Sequence, residues 1–347
     1  MINIKELAFI INKLAVKGKG ILAADESTAT ITKRFQTVGI ECTEETRRAY
    51  RETLMTTPGF NQFIAGVILF EETLNQKTSK GITFPEMLKK DGVLPGIKVD
   101  KGLVHLANTM DENITQGLDG LPERLAEYKS KGACFAKWRA VYAISDKTPS
   151  ALAIKTNAEI LARYAAVCQE QNIVPIVEPE VLIDGNHTLE RCEEVSEFVF
   201  HAVFNALYRH QVKLEYIVLK PSMVINGKAC PQKATVDHVA TATIRILLRT
   251  VPAAVPTINF LSGGQTCEQA TAHLNKINQL SPLPWNVSFS YARALQDYCM
   301  KTWLGQAKNI PAAQQALYKR AKLNSLATTG KYSEAMEKED MLLVSNS

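Results

Sequence analysis

Eight short apolar segments run through the whole of this chain, and almost every one leads into a charged residue or a pair of glycines. Their starts lie about 28 to 46 residues apart, which is the room that a parallel strand and its crossover helix need. Most segments are apolar on both faces, as in a parallel sheet that is covered on both sides. We therefore predict strands over residues 20–26, 66–70, 96–100, 133–139, 174–180, 214–221, 258–264 and 286–291.

The intervals between these segments carry helical patterns. Thr43 is a capping-type residue, and Glu44 and Glu45 follow it in the first turn, where negative charge suits the helix dipole. Strands that alternate with helices predict an α/β fold, namely a (β/α)8 barrel of the TIM type with additional terminal helices. The predicted helices cover residues 1–16, 43–56, 148–171, 190–209, 235–250, 293–304 and 311–326.

The architectural rival is an open, doubly wound sheet. That fold commonly carries a Gly-rich dinucleotide fingerprint after its first strand, whereas Asp25 is followed here by Glu-Ser-Thr. No Pro/Ser/Gly-rich linker divides the sequence, so we predict one domain over residues 1–347. Residues 328–347 are polar apart from 341–344, and we predict that they form a mobile C-terminal tail.

Composition narrows the possible partners. The 347 residues carry a formal net charge of +5, and Lys and Arg are spread along the sequence rather than clustered. That balance suits a small anionic substrate better than nucleic acid, which needs a denser basic stripe with interleaved aromatics. Charged residues interrupt the apolar positions of the first 16 residues, so we predict no signal peptide or membrane span and, by default, a cytoplasmic location.

Cysteine and histidine spacing gives no sign of a metal centre. The seven cysteines are widely spaced and include no CxxC pair, which argues against a disulfide framework and for a reducing compartment. The six histidines form no HxH or HxxxH pair, so no metal site is predicted.

Lys220 is the strongest candidate for chemistry. It follows the apolar run 216–219 and precedes Pro221. Burial disfavours the charged ammonium, and a neutral amine is what a carbonyl substrate needs to form a Schiff base. Considered alone, Lys220 could equally be a non-catalytic lysine at a strand end whose amine extends toward water.

Charged residues on other predicted strands could complete such a site. The positive charge of Lys137 would favour a neutral Lys220, and Glu178 or Glu180 could move protons as a carbinolamine loses water. Asp25 follows an apolar strand and could act as a base or cap the next helix. Glu178 and Glu180 could equally be carboxylates that only pair with nearby lysines.

A phosphate site is predicted after the last two strands. Ser262, Gly263 and Gly264 end the seventh segment, and glycines let backbone N–H groups approach an anion closely. Arg293, after the eighth segment, could close this site with a forked contact to phosphate. Lys98, Lys33, Arg34 and Arg139 add further cations. Together these cations exceed the need of one phosphate and suggest two, or one large anion, although each alone could be a solvated surface charge.

Eight stretches of the sequence carry a resemblance to a known family. The chain is similar to class I, Schiff-base-forming fructose-1,6-bisphosphate aldolases from its N-terminal helix to about Lys331, in chain order. The stretches are GILAADEST (20–28), GVILFEET (66–73), PGIKVDKG (95–102), FAKWR (135–139), IVEPE (176–180), LKPSM (219–223), FLSGGQ (260–265) and FSYARALQ (289–296).

The resemblance implies a role for each candidate. Lys220 would form the Schiff base, Glu178 would be the acid/base for carbinolamine dehydration, and Asp25 would accept the hydroxyl proton released as the C3–C4 bond breaks. Lys137 and Glu180 would tune the charges around them. The implied reaction is reversible cleavage of fructose 1,6-bisphosphate to dihydroxyacetone phosphate and glyceraldehyde 3-phosphate.

The resemblance also implies ligands for the two phosphates, the absence of a metal or other cofactor, and a homotetrameric assembly. The C1 phosphate would contact Ser262, Gly263, Gly264 and Arg293. The C6 phosphate or the sugar would contact Ser27, Thr30 and Lys98, with Lys33, Arg34 and Arg139 nearby.

Two positions depart from the family pattern. Animal-type members end in a tyrosine that helps to exchange the enamine proton, whereas this sequence ends Val-Ser-Asn-Ser, with Tyr332 as the nearest candidate. Slow protonation of the enamine is therefore expected. Ala292 stands where the common motif has glycine, and we expect this change to have little effect.

Two other functions are weighed against this one. A transaldolase-like Schiff-base barrel would act on singly phosphorylated sugars, but the number of cations favours two phosphates. An inactive barrel could serve as a scaffold, since glycolytic enzymes often have cytoskeletal partners. Intact residues at every assigned catalytic position argue against the scaffold.

Overall fold

The computed structural model describes residues 2–280 and 282–339, and over these residues eight parallel strands close into a barrel. This confirms the predicted (β/α)8 fold and excludes the open sheet. Around the barrel the strands follow the order β1-β2-β3-β6-β7-β8-β9-β10 and back to β1, while β4 and β5 form a separate antiparallel hairpin. The strands are β1 Gly20–Ala24, β2 Ile64–Leu69, β3 Leu94–Lys98, β4 Leu103–His105, β5 Asn113–Thr115, β6 Phe135–Tyr142, β7 Val174–Val181, β8 Val218–Leu219, β9 Thr257–Phe260 and β10 Asn286–Tyr291.

Helices cover the outside of the barrel, and most begin at a side chain that caps the first turn. Thr43 accepts a hydrogen bond from the backbone N–H of Thr46, as its position in the sequence predicts. The helices are α1 Ile4–Leu14, α2 Thr28–Gln36, α3 Glu44–Met55, α4 Glu71–Asn75, α5 Phe84–Lys90, α6 Leu121–Ser130, α7 Ala151–Glu170, α8 Leu189–Arg209, α9 Val236–Thr250, α10 Cys267–Gln279, α11 Arg293–Trp303 and α12 Ile310–Ala327, with 3-10 turns at Phe60–Gln62, Leu214–Tyr216, Ala307–Asn309 and Glu334–Lys338.

Some strands are shorter than their apolar runs suggest. The segment predicted over residues 214–221 contributes only Val218–Leu219, because Leu214–Tyr216 forms a 3-10 turn and Pro221 has no N–H for a ladder. The seventh strand ends at Phe260 rather than at residue 264, since Gly263 and Gly264 have positive φ angles of 49° and 84°. The sequence analysis missed the β4–β5 hairpin, whose three-residue strands are too short for a periodic pattern.

Side chains alternate between the two sides of each barrel strand. Outward residues join the large core between barrel and helices, whereas inward residues form a second apolar cluster with one face of α1. Helix α1 therefore closes one end of the barrel. The cluster consists of Leu7, Ile10, Ile11 and Leu14 from α1 and Ile21, Ala23, Ile68, Leu94, Phe135, Val174, Ile176 and Val218 from the strands. The next inward positions on several of these strands lie at their carboxyl ends, where the candidate catalytic residues are found.

The first part of the predicted tail contacts the preceding helix. The ammonium of Lys319 donates to the backbone oxygens of Glu337 and Glu339, and the guanidinium of Arg320 pairs with the carboxylate of Glu337. The remainder of the predicted tail, residues 340–347, lies outside the described residues, as does Met1 of the predicted first helix. None of the helices in the described part of the chain has the length and apolar content needed to cross a membrane.

The ring of Phe135 fills the barrel interior and leaves no room for side chains at two positions on the neighbouring strands. A Cβ atom on Gly66 would lie 2.9 Å from the ring of Phe135, and one on Gly96 would overlap that ring more severely. Glycine is therefore required at both positions because the ring occupies the space that a side chain would need.

Gly96→Ala should destabilise the protein by about 1–3 kcal/mol, because the added methyl group collides with the Phe135 ring. Urea unfolding of Gly96→Ala, Phe135→Leu and the double variant provides the measurement. The double variant should recover part of the loss, since leucine leaves room for the methyl group. Purely additive losses in the double variant would show that the ring is not the cause.

Candidate active site

Four charged side chains continue the inward row of the barrel strands. Asp25, Lys137, Glu178 and Lys220 each come two residues after a member of the interior apolar cluster, so the alternation of the strand points them into the same cavity. Backbone pairing brings the strands that carry the last three side by side. Arg139 of β6 lies opposite Glu178 of β7, and the backbone N–H of Lys220 donates to the oxygen of Val177 at 2.8 Å.

These four side chains form a continuous chain of ion pairs. The Lys220 Nζ lies 3.1 Å from Glu178 Oε1, the other oxygen of Glu178 lies 3.4 Å from Lys137 Nζ, and Lys137 Nζ lies 2.7 Å from Asp25 Oδ2. Lys137, Glu178 and Lys220 are each only 4% exposed. The structure therefore brings these four sequence-predicted residues together, with Lys220 buried beside Glu178.

The charges of Asp25 and Lys137 hold each other ionised. Burial works against the carboxylate form of Asp25, but Lys137 and Lys220 lie close enough to lower the pKa of Asp25 below its ordinary value. Burial likewise opposes the charged form of Lys137, yet Asp25 and Glu178 raise the pKa of Lys137 above its ordinary value. Lys137 is consequently a fixed positive charge at neutral pH, and Asp25 is ionised and able to accept a proton.

A second layer of ion pairs surrounds the first. Arg139 Nε donates to Glu180 Oε2, and Lys98 Nζ contacts the carboxylate of Asp100 at 2.6 Å. Burial opposes the charge on Arg139, but Glu180 raises the pKa of Arg139. With the inner group, these side chains make four cations and four carboxylates, a balanced set of buried or half-buried charges.

Asp100 is the member of this set that sequence reasoning missed. It is buried, and its Oδ1 accepts from Lys98 and from the backbone N–H of Gly102 at 3.2 Å. Its charge also contributes to the raised pKa of Lys137. The signal was present, because Asp100 follows Lys98 at the two-residue spacing that aligns side chains on one face.

The predicted phosphate loop adjoins this cavity. Ser262 is buried, and the positive φ angles of Gly263 and Gly264 turn the chain sharply between β9 and α10. A Cβ atom on Gly263 would lie 3.9 Å from Glu180 Oε1, so the loop reaches the second layer of charges. Arg293 is exposed at the first residue of α11. The preceding Ala292 has a negative φ of −99°, so the φ angle at this position does not require glycine.

The residues after β1 are distributed differently. Ser27 caps α2 by accepting from the backbone N–H of Thr30, which leaves Asp25 free of the capping role. Lys33 is exposed, whereas Arg34 pairs with Glu26 and with Asp297 at 3.0 Å. These contacts neutralise much of the charge of Arg34. Tyr332, the candidate for enamine proton exchange, is buried and donates to Glu337 Oε1 at 3.0 Å, and burial raises the pKa of its hydroxyl.

No cluster of three or more His, Cys, Asp or Glu side chains able to hold a metal ion occurs within residues 2–280 and 282–339. The charged groups of the cavity are arranged as alternating cations and carboxylates. Such an arrangement supports an amine nucleophile flanked by groups that transfer protons.

Comparison with known proteins was made by sequence and by structure. The sequence profile of the family described as fructose-bisphosphate aldolase class-I matches residues 6–345. A probable fructose-bisphosphate aldolase class 1 from Xanthomonas campestris pv. campestris is 54% identical over 331 residues, covering 95% of this chain and 99% of the relative. Fructose-bisphosphate aldolase C from Rattus norvegicus is 53% identical over 330 residues, covering 94% and 91%.

A solved structure extends the similarity to three dimensions. The fructose-bisphosphate aldolase from Plasmodium falciparum, determined in complex with TRAP and a small-molecule inhibitor, superposes with a TM-score of 0.94. It is 50% identical in sequence, and the superposition covers 95% of each chain.

Lys137→Met should destabilise the protein by about 3 kcal/mol at neutral pH, because it leaves two buried carboxylates without their shared cation. In the parent protein the pKa of Asp25 is lower in the folded state than in the unfolded state, where it is about 3.9, so ionised Asp25 stabilises the fold. This stabilisation is complete above the unfolded-state pKa and is lost as the pH falls through the folded-state pKa. Lys137→Met removes the strongest attraction that lowers the pKa of Asp25, so this pKa should be higher in the variant than in the parent. The difference in stability should therefore shrink as acid protonates the carboxylates.

Urea unfolding of the parent and Lys137→Met at neutral and acidic pH measures this difference. Lys276→Met is the control, because Lys276 forms a surface ion pair with Asp237 at 2.6 Å. A deficit that stays constant or grows on acidification would contradict the assigned charge pairing.

Proposed function

Because this chain belongs to the class I fructose-bisphosphate aldolase family, we propose that Lys220 supplies the amine of its Schiff base. The reaction of the family is the reversible cleavage of fructose 1,6-bisphosphate to dihydroxyacetone phosphate and glyceraldehyde 3-phosphate through a lysine imine. The observation that carries the assignment is the position of Lys220, buried at the end of β8 with its amine 3.1 Å from Glu178. The transaldolase-like and scaffold alternatives lose their support with the family assignment.

The first half of the proposed mechanism forms the imine. The amine of Lys220 in its neutral form attacks the C2 carbonyl of the substrate and gives a carbinolamine. Glu178 in its acid form then donates a proton to the C2 hydroxyl, which leaves as water and produces the protonated imine. Glu178 suits this role because one of its oxygens contacts Lys220 while the other faces Lys137.

The second half cleaves the carbon–carbon bond. Asp25 accepts the proton of the C4 hydroxyl, the C3–C4 bond breaks, and its electrons move into the protonated imine to give an enamine. The proposal is supported by the lowered pKa of Asp25, since an ionised carboxylate is needed as the base. Lys137 donates a hydrogen bond to Asp25 and remains charged throughout, so it orients the base and stabilises developing negative charge.

Protonation of the enamine at C3 and hydrolysis of the imine then release dihydroxyacetone phosphate. Because Tyr332 is buried and hydrogen-bonded to Glu337, we do not assign the proton transfer to that residue. The residues near the end of the sequence lie outside the described part, and the expected slow protonation stays a prediction.

The proposed phosphate sites follow the two groups of polar residues on the barrel rim. Ser262, Gly263, Gly264 and Arg293 hold the C1 phosphate through backbone N–H groups and a guanidinium. Glu180 accepts a hydrogen bond from Arg139, and Asp100 pairs with Lys98, so each carboxylate restrains the cation beside it. The C6 phosphate and the sugar hydroxyls contact Lys98, Arg139, Ser27 and Thr30, with Lys33 and Arg34 nearby. The pairing of Arg34 with Glu26 makes it the weakest contributor.

Assembly and location are part of the same proposal. We expect a homotetramer in the cytoplasm that uses no metal, as is usual for the family. The complex of the Plasmodium falciparum enzyme with TRAP supports the idea that this chain also binds another protein. Association with the cytoskeleton stays a prediction. Sedimentation of the purified protein measures the assembly state directly.

Lys220→Met should abolish covalent trapping of dihydroxyacetone phosphate by borohydride, because methionine has no amine that could form an imine. Mass-spectrometric mapping of the reduced adduct in the parent protein should find the label on Lys220. Lys98→Met is the control, since it removes another inward lysine and should leave trapping intact at saturating ligand. An adduct on any other lysine would overturn the assignment.

Glu178→Gln should slow turnover by roughly 10²–10⁴, the usual contribution of a general acid/base. A coupled assay that follows NADH gives kcat and KM for fructose 1,6-bisphosphate cleavage. Glu180→Gln is the matched control, because Glu180 lies two residues further along β7 but pairs with Arg139. If Glu180→Gln were the slower variant, the acid/base role would pass to Glu180.

A further inference from the structure

The charge balance of the cavity raises a question about the substrate. A sugar bisphosphate brings roughly three to four negative charges, since each phosphate carries about −1.5 to −2 at neutral pH. The inward cations Lys98, Lys137, Arg139 and Lys220 are matched by Asp25, Asp100, Glu178 and Glu180. Cations outside this balanced set must therefore compensate much of the phosphate charge.

Lys228 is such a cation, and it touches the predicted phosphate loop. A Cβ atom built on Gly264 would lie 2.8 Å from Lys228 Nζ and 2.9 Å from its Cε, so the end of this side chain rests against Gly264. Because Gly264 has no side chain, the ammonium comes close to the backbone that would hold a phosphate. Lys228 lies in the loop after β8, the strand that leads into Lys220.

The backbone around Lys228 is held firmly by the loop after β7. Its N–H donates to the oxygen of Ile183 at 2.8 Å, and the N–H of the neighbouring Ala229 donates to the oxygen of Gly185 at 2.8 Å. The ammonium of Lys233 donates to the backbone oxygen of Lys228 at 2.6 Å. The side chain of Lys228 therefore extends toward Gly264 from a fixed base.

The present partner of Lys228 is easily replaced. Lys228 Nζ lies 3.2 Å from Asp184 Oδ1, and the two side chains are 47% and 71% exposed. An exposed ion pair of this kind contributes little, about 1 kcal/mol or less. A cavity of about 390 Å³, lined by Lys228, Gly264 and Ile183 among others, gives the ammonium room to turn.

We propose that Lys228 is a substrate-binding residue that contacts the C1 phosphate on the 262–264 loop, with Asp184 as the carboxylate that competes for its ammonium. This inference rests on the proposed assignment of the loop to the C1 phosphate. It identifies a determinant of affinity for ketose phosphates that lies outside the barrel strands.

The experiment measures the dissociation constants of dihydroxyacetone phosphate and inorganic phosphate for the full-length protein by calorimetry. Lys228→Met should weaken the binding of both ligands about two- to fivefold, as expected for one exposed charge contact. Asp184→Asn should tighten binding about twofold or more, because it removes the competitor. Lys228→Arg should retain most of the affinity, because arginine keeps the positive charge.

Lys276→Met is the matched control, since Lys276 forms a comparable surface pair with Asp237 away from the loop. The opposite effects of Lys228→Met and Asp184→Asn separate phosphate binding from a merely structural ion pair, whose loss would move both variants in one direction. Unchanged affinity in Lys228→Met, or equal weakening in both variants, would overturn the proposal. Borohydride trapping in the same samples separates this outcome from failure of the Lys220 assignment, because trapping at saturating ligand depends on the amine and not on Lys228.

Discussion

The position of Glu178 between two lysines is the interaction on which the rest of the site depends. One of its oxygens faces Lys220 and the other faces Lys137, so a single buried carboxylate is shared by the proposed nucleophile and by the cation that pairs with Asp25. Removing any of these charges leaves its neighbours buried without compensation, which costs several kcal/mol in typical proteins. The cluster is therefore stable only as a whole, and the same coupling lets proton transfer at one member alter the field at the others.

The barrel makes such a cluster possible by separating apolar and charged layers along each strand. The inward residues near the amino ends form an apolar cluster with α1, and the inward residues near the carboxyl ends carry the charges. Phe135 illustrates the division, since its ring fills the interior only because Gly66 and Gly96 carry no side chains. The apolar layer excludes water from below Lys137, which strengthens its pairing with Asp25.

Much of this organisation could be predicted from the sequence, because strand ends carry a strong signal. The apolar runs before Asp25, Lys137, Glu178 and Lys220 located the barrel strands, and parallel strands necessarily bring their carboxyl ends to one rim. Strand bounds were less predictable: hydrogen bonding and turn formation shortened β8 to Val218–Leu219, although the apolar run is longer.

Loop residues were harder to interpret than strand residues. Asp100 was read only as the end of a strand, although it shares a face with Lys98. Lys228 gave no pattern at all, because its contact with Gly264 joins two loops that are distant in sequence. Arg34 shows the reverse difficulty: its charge suggested phosphate binding, but its pairing with Glu26 depends on how α2 leaves the barrel.

Helix α1, packed into one end of the barrel, has a consequence for the order of events during turnover. Leu7, Ile10, Ile11 and Leu14 close this end of the barrel, so substrate and products must enter and leave at the opposite end. In the proposed mechanism, the fragment bound covalently to Lys220 cannot leave until its imine is hydrolysed, whereas the aldehyde fragment is free once the C3–C4 bond breaks. The proposed mechanism therefore predicts sequential release, with the aldehyde leaving first and the ketose last.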